Sequence, residues 1–371
     1  MTGARSLRWL FIVFLATTAQ AQHRVEGAVR GVWIPAPEHT RFFDDTTTMR
    51  RELELWRSLG INTVFVAVWN QGRTMYPSKV MKRLTGVRVH PAMVNRDPLG
   101  EVIAIAHRLD IKVYAWFEYG FASDYRGGPG SEILRKNTGW AALDLHGAPI
   151  EKNGFHWMNA LDPDVQDFLL SLILEVAATH DLDGVQGDDR LPALPSEGGY
   201  NPATVARYRA EHGGAEPPAD SHDSAWVSWR SAQLDDFMHR LHDRVKALKP
   251  SLQISMAPGA YPFSRTEYLQ DWPGWLHRGW VDHVSPQLYR RDIVAYEREM
   301  RRVTREQLRP EELSKLFPGI LLSLSAGYLA EPELVRRMVE ANRRAGIAGE
   351  LFFFADGVTA LRTTFEGLYK P

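Results

Sequence analysis

The chain has 371 residues, a formal net charge of -1 at pH 7 and no cysteine. Without cysteine it has no disulfides, no thiolate metal site and no cysteine nucleophile, so its stability must come from a large hydrophobic core. The near-neutral charge gives no electrostatic reason to expect nucleic acid or an anionic membrane as a partner.

The first residues have the pattern of a secretory signal peptide. Arg5 and Arg8 precede a short apolar run, 10–16, and small residues follow up to Ala21. A positive start, a short apolar stretch and an Ala-x-Ala site predict cleavage after Ala21 and an exported product, periplasmic or secreted. The run is shorter than the roughly 20 apolar residues that a spanning helix needs, so we expect no stable membrane anchor after cleavage. An uncleaved N-terminal anchor is the alternative.

Beyond the signal peptide, apolar strand-like runs alternate with helical patterns. Several runs are apolar almost throughout, as parallel strands covered on both faces are. The predicted strands are 31–35, 63–69, 112–117, 184–188, 253–257, 283–289, 319–323 and 350–355. Apolar residues at helical spacing separate them, for example over 97–110, 164–180 and 333–345.

This alternation predicts an α/β protein, a (β/α)8 TIM barrel that forms one domain over residues 22–371 after a signal peptide at 1–21. Long βα loops are expected after strands three and four, over 122–161 and 190–202. A doubly wound open sheet is the alternative fold, although no G-x-G-x-x-G follows the first strand.

Carboxylates stand at the ends of two neighbouring strands, where a barrel has its active site. Glu118 closes the third strand, and Asp188 with Asp189 closes the fourth. Two such acids are what a glycosidase needs, one to protonate a leaving oxygen and one to attack or to activate water. Because side chains alternate along a strand, Gln186 and Asp188 share the face that points into the barrel mouth. We therefore interpret Glu118, Asp188 and Asp189 as the catalytic set, with the first two as the acid pair and Asp189 bracing the next loop against Arg190.

Other polar and aromatic residues near the strand ends are candidates for binding a sugar. Rings that could stack on sugar faces are Trp33, Trp69, Trp116, Tyr119 and Tyr289. Polar candidates are His39, Asn70, Gln71, Gln186, Arg190 and Gln287. Core packing is the alternative for any one tryptophan, since large aromatic residues dominate cores.

The sequence predicts no metal and no cofactor. No H-x-x-x-H or H-E-x-x-H occurs, and His239 and His242 fall on a helix away from the strand ends. A metal site formed by Asp188, Asp189 and His39 stays open as an alternative, and it would make the protein a metal-dependent hydrolase or deacetylase. A serine hydrolase lacks its nucleophile elbow here, because no G-x-S-x-G occurs.

A series of short motifs resembles the glycosyl hydrolase-like 10 family, from about residue 28 to about 290. The motifs are RGVW at 30–33, NTV at 62–64, VWN at 68–70, YPS at 76–78, RDPL at 96–99, WFEYGF at 116–121, DGVQGDD at 183–189 and PQLY at 286–289. The resemblance implies a TIM-barrel hydrolase of bacterial glycans, some relatives acting on peptidoglycan, with Glu118, Asp188 and Asp189 at the matching acid positions. Gly187 and Arg190 depart from the residues that many relatives have beside the acid pair. Gly187 is expected to widen the site, and Arg190 to lower the pKa of a neighbouring carboxylate.

The resulting hypothesis is an exported glycosidase of an envelope glycan, with peptidoglycan strands favoured. Glu118 would stay protonated and donate its proton, while Asp188 would stay ionised as nucleophile or as base. The two roles can also be exchanged, since strand parity carries no information on pKa. A barrel that binds glycan without turnover is the alternative of a different class. The sequence does not indicate the oligomeric state, the sugar or the linkage.

Overall fold

The structure, a computed structural model, describes residues 28–324 and 327–369. The predicted signal peptide lies outside these residues. Eight parallel strands form one sheet in the order β6-β5-β4-β3-β2-β1-β8-β7. They are β1 Arg30–Ile34, β2 Thr63–Ala67, β3 Lys112–Phe117, β4 Gly184–Gly187, β5 Gln253–Met256, β6 His283–Val284, β7 Gly319–Leu321 and β8 Glu350–Phe353. Parallel bridges from Val284 to Leu316 and from Gln287 to Gly319 join its two edges, which gives the predicted barrel.

Helices connect the strands and cover the outside of the sheet. They are α1 Thr46–Ser58, α2 Lys79–Thr85, α3 Pro98–Ala106, α4 Ser131–Lys136, α5 Pro163–Thr179, α6 Pro202–Glu211, α7 Ser224–Leu248, α8 Phe263–Tyr268, α9 Trp272–His277, α10 Ile293–Arg302, α11 Pro332–Arg344, α12 Ala355–Ala360 and α13 Arg362–Tyr369. Short 3-10 turns occupy 37–39, 91–93, 107–109, 138–140 and 310–315, and 303–307 is a π-helical turn.

Aspartate side chains begin many of these helices. Asp45, Asp97, Asp162, Asp223 and Asp292 each accept a hydrogen bond from a backbone N–H of the first turn. Such caps satisfy amide groups that have no partner inside the helix. They fix where the chain turns from each loop into the helix that packs on the sheet.

The strands are buried on both faces, as their apolar composition predicts. Side chains that point outward, such as Val64 and Val185, pack under the helices in the large outer core. Side chains that point inward form a separate cluster inside the barrel, which includes Trp33, Phe65 and Trp116. Alternation of the two sets along each strand therefore decides which residues reach the barrel mouth.

Two long segments follow β3 and β4, as predicted. The first is not a plain loop, because it contains α4 and a three-stranded antiparallel sheet of Ala122–Tyr125, Glu151–Lys152 and Phe155–Trp157. The second, 188–201, leads into α6. Among the described residues no helix is long and apolar enough to cross a membrane.

Some predicted strand ends are wrong. The second strand stops at Ala67, and Trp69 instead begins a two-residue hairpin strand, Trp69–Asn70, that pairs with Arg73–Thr74. A further hairpin, Ser323–Leu324 with Tyr328–Leu329, follows β7. Regular pairing in the sixth strand covers His283–Val284, and beyond it Gln287 makes one isolated bridge, to Gly319.

Candidate active site

Three carboxyl groups lie at the ends of two adjacent strands. β3 and β4 are paired in parallel, with Trp116 opposite Gln186 and Phe117 opposite Gly187. Glu118 is therefore the first residue after one strand, and Asp188 is the first after its neighbour. The side chain of Gln186 points inward, as predicted, since its Oε1 accepts a hydrogen bond from the inward-facing Trp33 at 2.7 Å.

Asp188 is held by N–H donors on both of its oxygens. Oδ1 accepts from Gln287 Nε2 and from the backbone N–H of Asp189, each at 2.6 Å. Oδ2 accepts from Trp116 Nε1 at 2.9 Å, and the Asp188 carbonyl accepts from Gln270 Nε2 at 2.9 Å. The side chain is only 2% exposed. Because each donor is an N–H group, this environment suits a carboxylate anion.

Glu118 has fewer partners. Its Oε2 accepts a hydrogen bond from Asn70 Nδ2 at 2.7 Å, and no other residue of the described chain bonds to this carboxyl group. Asn70 lies on the hairpin that follows β2, so three neighbouring strands contribute to the cluster. The second oxygen is left to carry a proton.

Arg190 contacts all three acid-bearing residues. Its Nη1 lies 3.0 Å from Asp189 Oδ1, and its Nη2 lies 3.6 Å from Asp188 Oδ2. Its Nε donates to the backbone carbonyl of Glu118 at 2.9 Å. The predicted contact between Asp189 and Arg190 is present in the structure. With one cation and three carboxyl groups, the cluster has a charge of -2 when all three are ionised.

Burial dominates the acidity of the two inner carboxyl groups. It raises the pKa of Glu118, against the opposing effects of Arg190 and of the Asn70 hydrogen bond. Burial, followed by the charge of Asp189, raises the pKa of Asp188 well above its ordinary value, and Arg190 offsets only part of this. Arg190 lowers the pKa of both carboxyl groups, as expected, but loss of hydration outweighs one partly shared cation, so both pKa values still lie above their ordinary values.

The candidate tryptophans are buried in the core. Trp33, Trp69 and Trp116 are each 1% exposed or less. Trp69 Nε1 donates to the carbonyl of Gly120 at 2.9 Å, which fixes the hairpin to the turn after β3. Gln186 is also 1% exposed and lies below the mouth. In this structure these four side chains support the site from behind and offer no free face to a sugar.

The other predicted binding residues differ in their exposure. His39 is exposed in the turn after β1, and its charge opposes the raised pKa of Glu118. Gln71 is at the tip of the hairpin with a φ of 45°, beside Gly128, where an added Cβ would lie 2.2 Å from Gln71 Oε1. Tyr119 is buried beneath Arg190, whose guanidinium lies 5.5 Å from the ring centre. Only part of the predicted set therefore borders the open mouth.

Tyr289 lies on the inner rim with aromatic neighbours that sequence reasoning missed. Its ring centre is 5.1 Å from that of Phe353, and Phe354 follows at the end of β8. Both phenylalanines are partly exposed and pack on the inner cluster. Gly319 makes room for this packing, because a Cβ there would lie 3.2 Å from Trp33 and 3.3 Å from Tyr289. The rule that strand ends form the site selects this pair, because both residues lie at the end of β8.

Gly187 does not widen the site. Its missing side chain points away from the mouth, and a Cβ would lie 2.5 Å from the Leu191 carbonyl oxygen and 2.5 Å from Met256 Sδ. A bulky residue would displace the loop that carries Asp188. The glycine is thus required by close packing behind the acid pair, and the expectation of a wider site is wrong.

The described residues contain no group of three or more histidine, aspartate or glutamate side chains placed to hold a metal ion. His39 belongs to the surroundings of Glu118, and no hydrogen bond or ion pair of the described chain joins it to Asp188 or Asp189.

Comparison with known proteins identifies a family and a shared fold. The model of the family described as glycosyl hydrolase-like 10 matches residues 28–325. A curated protein named glycosyl hydrolase DigH, from Escherichia coli K12, is 24% identical over 318 residues, covering 74% of this chain and 67% of the relative.

Solved glycosidase structures share the fold. The PgaB (BpsB) glycoside hydrolase domain from Bordetella bronchiseptica has a TM-score of 0.67 at 17% identity, covering 92% of this chain and 98% of that one. An alpha-L-fucosidase from Paenibacillus thiaminolyticus has a TM-score of 0.65 at 16% identity, covering 92% and 48%. At such identities the likeness shows the TIM-barrel fold alone.

Proposed function

The chain belongs to the glycosyl hydrolase-like 10 family, and we propose that it hydrolyses glycosidic bonds in a bacterial envelope glycan, with peptidoglycan strands as the favoured substrate. One observation carries this proposal. Two buried carboxyl groups, Glu118 and Asp188, stand at the ends of paired parallel strands in unequal surroundings. Unequal surroundings are how a glycosidase separates a proton donor from an ionised partner.

The hydrogen bonds support different roles for Glu118 and Asp188. Both oxygens of Asp188 accept from N–H donors, so an added proton would displace one of them. Glu118 has an oxygen free of hydrogen bonds within the described chain. Burial raises the pKa of both carboxyl groups, so the proton is assigned from the hydrogen bonds and not from the pKa directions. We therefore place the retained proton on Glu118. Asp188 is then the ionised partner, beside Arg190.

In the proposed reaction, Glu118 protonates the glycosidic oxygen as the bond from that oxygen to the anomeric carbon breaks. Asp188 either attacks the anomeric carbon or takes a proton from the attacking water. In the first route water later cleaves the glycosyl ester and returns a proton to Glu118. Retention of anomeric configuration would indicate the first route and inversion the second, which NMR of the initial product distinguishes.

The mouth around the acids suits a sugar ring. Phe353, Phe354 and Tyr289 supply partly exposed aromatic surface opposite the acid-bearing strands. Polar groups at Asn70 and Gln71 line the hairpin side. Apolar surface with a few placed polar groups is the usual composition of such a site. Peptidoglycan is proposed from the family resemblance, and export from the signal-like residues 1–21.

A glycan-binding barrel without turnover is the second candidate. The 2% exposure of Asp188 favours it, because a nucleophile or base must reach the anomeric carbon or its attacking water. The two candidates differ in whether glycan fragments are released.

The test is mass analysis of products after incubating the mature protein with purified peptidoglycan, with and without stem peptides. Release of glycan fragments by the wild type, lost in Glu118→Gln and Asp188→Asn, is the expected result, and the fragment masses identify the bond. Release that both variants retain would contradict the proposed acid pair. Binding without release would support the second candidate, and loss of activity in EDTA would support a metal-dependent hydrolase.

A further inference from the structure

Arg190 has the contacts of a residue that joins two loops. Its guanidinium reaches Asp188, Asp189 and the Glu118 carbonyl at 3.6, 3.0 and 2.9 Å. Its centre lies 5.5 Å from the Tyr119 ring and 4.7 Å from the Phe155 ring. The side chain is 15% exposed. Carboxylates, one carbonyl and two rings thus occupy the surface that a sugar would need.

The backbone of Arg190 makes the same connection. Its carbonyl oxygen accepts from the Phe121 N–H at 2.8 Å. Gly120 has a φ of 48°, and a Cβ there would lie 2.1 Å from that oxygen. The turn after β3 can therefore approach the Arg190 peptide only because it carries glycine.

We propose that Arg190 is a positioning residue for the acid pair, which locks the loop carrying Glu118 to the loop carrying Asp188 and so fixes the directions of both carboxyl groups. This inference rests on the proposed function. It replaces the sequence-based interpretation of Arg190 as a sugar-binding residue.

The contacts of Arg190 fix the turns that follow β3 and β4. Each acid follows its strand by one residue, so its direction depends on the turn that comes next rather than on the sheet. The planar guanidinium fixes both turns through directions that a lysine cannot reproduce. Small displacements of reacting groups are costly, on the order of 100-fold in rate for about 1 Å.

The charge of Arg190 also affects the pKa of both carboxyl groups. Around the guanidinium lie the ionisable groups of Glu118, Tyr119, Asp188 and Asp189, and the Tyr289 hydroxyl senses the same charges. On the β1 side His39 faces Glu118. Arg190 lowers the pKa of both Glu118 and Asp188 from the values that burial alone would give. Without that cation, both groups would release their protons only at higher pH.

The pH profile therefore separates charge from geometry. Hydrolysis needs Asp188 ionised, which sets the acid limb, and Glu118 protonated, which sets the alkaline limb. In Arg190→Gln both limbs are expected to move up by ~1 pH unit, because an adjacent cation typically depresses a carboxyl pKa by that much or more. In Arg190→Lys the charge remains, so the limbs stay near their wild-type positions while kcat falls ~10- to 100-fold with KM unchanged.

Arg278→Gln is the matched control. Arg278 also pairs with a carboxylate, Asp235 at 3.3 Å, and lies over a ring, Trp280 at 4.9 Å, but it is on the outer helices. Its loss is expected to leave the pH profile and kcat unchanged. Thermal unfolding of each variant shows whether the fold is retained.

Three outcomes decide the inference. A raised KM with an unshifted pH profile would overturn it and restore the sugar-binding role. Wild-type kcat in Arg190→Lys would also overturn it, and this result stands even if Arg190→Gln does not fold. Absence of turnover by the wild type on every glycan would instead contradict the proposed function, and the inference with it.

Discussion

Replacing Tyr289 by phenylalanine removes one oxygen atom from the edge of the carboxyl cluster. The hydroxyl is buried and has no hydrogen-bond partner among the described residues. An unpaired buried polar group costs about 1–3 kcal/mol of folding free energy. Tyr289→Phe is therefore expected to leave the free energy of unfolding unchanged or to raise it by about 1 kcal/mol.

Tyr296→Phe is the matched control. That hydroxyl is also buried, but it donates to Asn342 Oδ1 at 2.7 Å on the outer layer of helices. Its removal leaves the Asn342 carbonyl unpaired, so the free energy of unfolding is expected to fall by about 1–3 kcal/mol. Urea denaturation of the two variants beside the wild type measures both changes.

Catalytic activity is expected to fall in the variant that keeps its stability, Tyr289→Phe, and not in Tyr296→Phe. Burial and the charges of Asp188 and Asp189 raise the pKa of Tyr289 well above its ordinary value, so its hydroxyl keeps its proton. This protonated donor has no partner among the described residues and lies next to the acids, so we expect it to donate to an oxygen of a sugar bound at the acid pair. Tyr289→Phe should lower kcat/KM about 100-fold, the usual effect of removing one preorganised donor. Tyr296→Phe should leave kcat/KM unchanged.

Two results would refute this reasoning. If Tyr289→Phe unfolds as easily as Tyr296→Phe, the hydroxyl has a partner that stabilises the fold. If Tyr289→Phe hydrolyses glycan at the wild-type rate, the hydroxyl does not contact the substrate.

Two further predictions concern residues beside the acids. Burial raises the pKa of Glu118 above 4.5, so the wild-type protein loses folding stability as the pH rises past that value. Glu118→Gln should therefore be more stable than the wild type by about 1 kcal/mol at pH 7 and no more stable at pH 4. The exposed Glu54→Gln should show no such dependence, and a gain at Glu118 that is equal at both pH values would contradict the assignment. Gly187→Ala should lower the free energy of unfolding by about 1–3 kcal/mol, because its Cβ would lie 2.5 Å from the Leu191 carbonyl oxygen. A variant that is more active and equally stable would instead show that position 187 borders the substrate.

The sequence predicts the barrel and the acid positions well because both follow from local rules. Apolar runs mark strands that are covered on both faces, and alternation along a strand decides which side chains point inward. That is why Glu118 and Asp188 were found at the mouth without knowledge of any distant contact. Strand ends were less predictable, since Trp69 begins a hairpin only through pairing with Thr74.

Exposure and electrostatics depend on distant parts of the chain. Trp33 and Trp116 point inward as their parity requires, but their burial comes from packing with Phe353 at the far end of the sequence. Adjacency gives the direction in which Arg190 moves a carboxyl pKa, but not the net pKa of Asp188, because the loss of hydration there arises from the surrounding barrel. The need for glycine at position 187 likewise depends on a distant residue, Met256 on the neighbouring strand.

That Glu118 and Asp188 together cleave a glycosidic bond is the central claim, and the release of glycan fragments tests it most directly. Purified peptidoglycan is incubated with the wild-type protein, with Glu118→Gln or with Asp188→Asn, and the soluble products are identified by mass spectrometry. The account predicts fragments from the wild type and none from either variant, with both variants still folded. Fragments from either variant at the wild-type rate would contradict it.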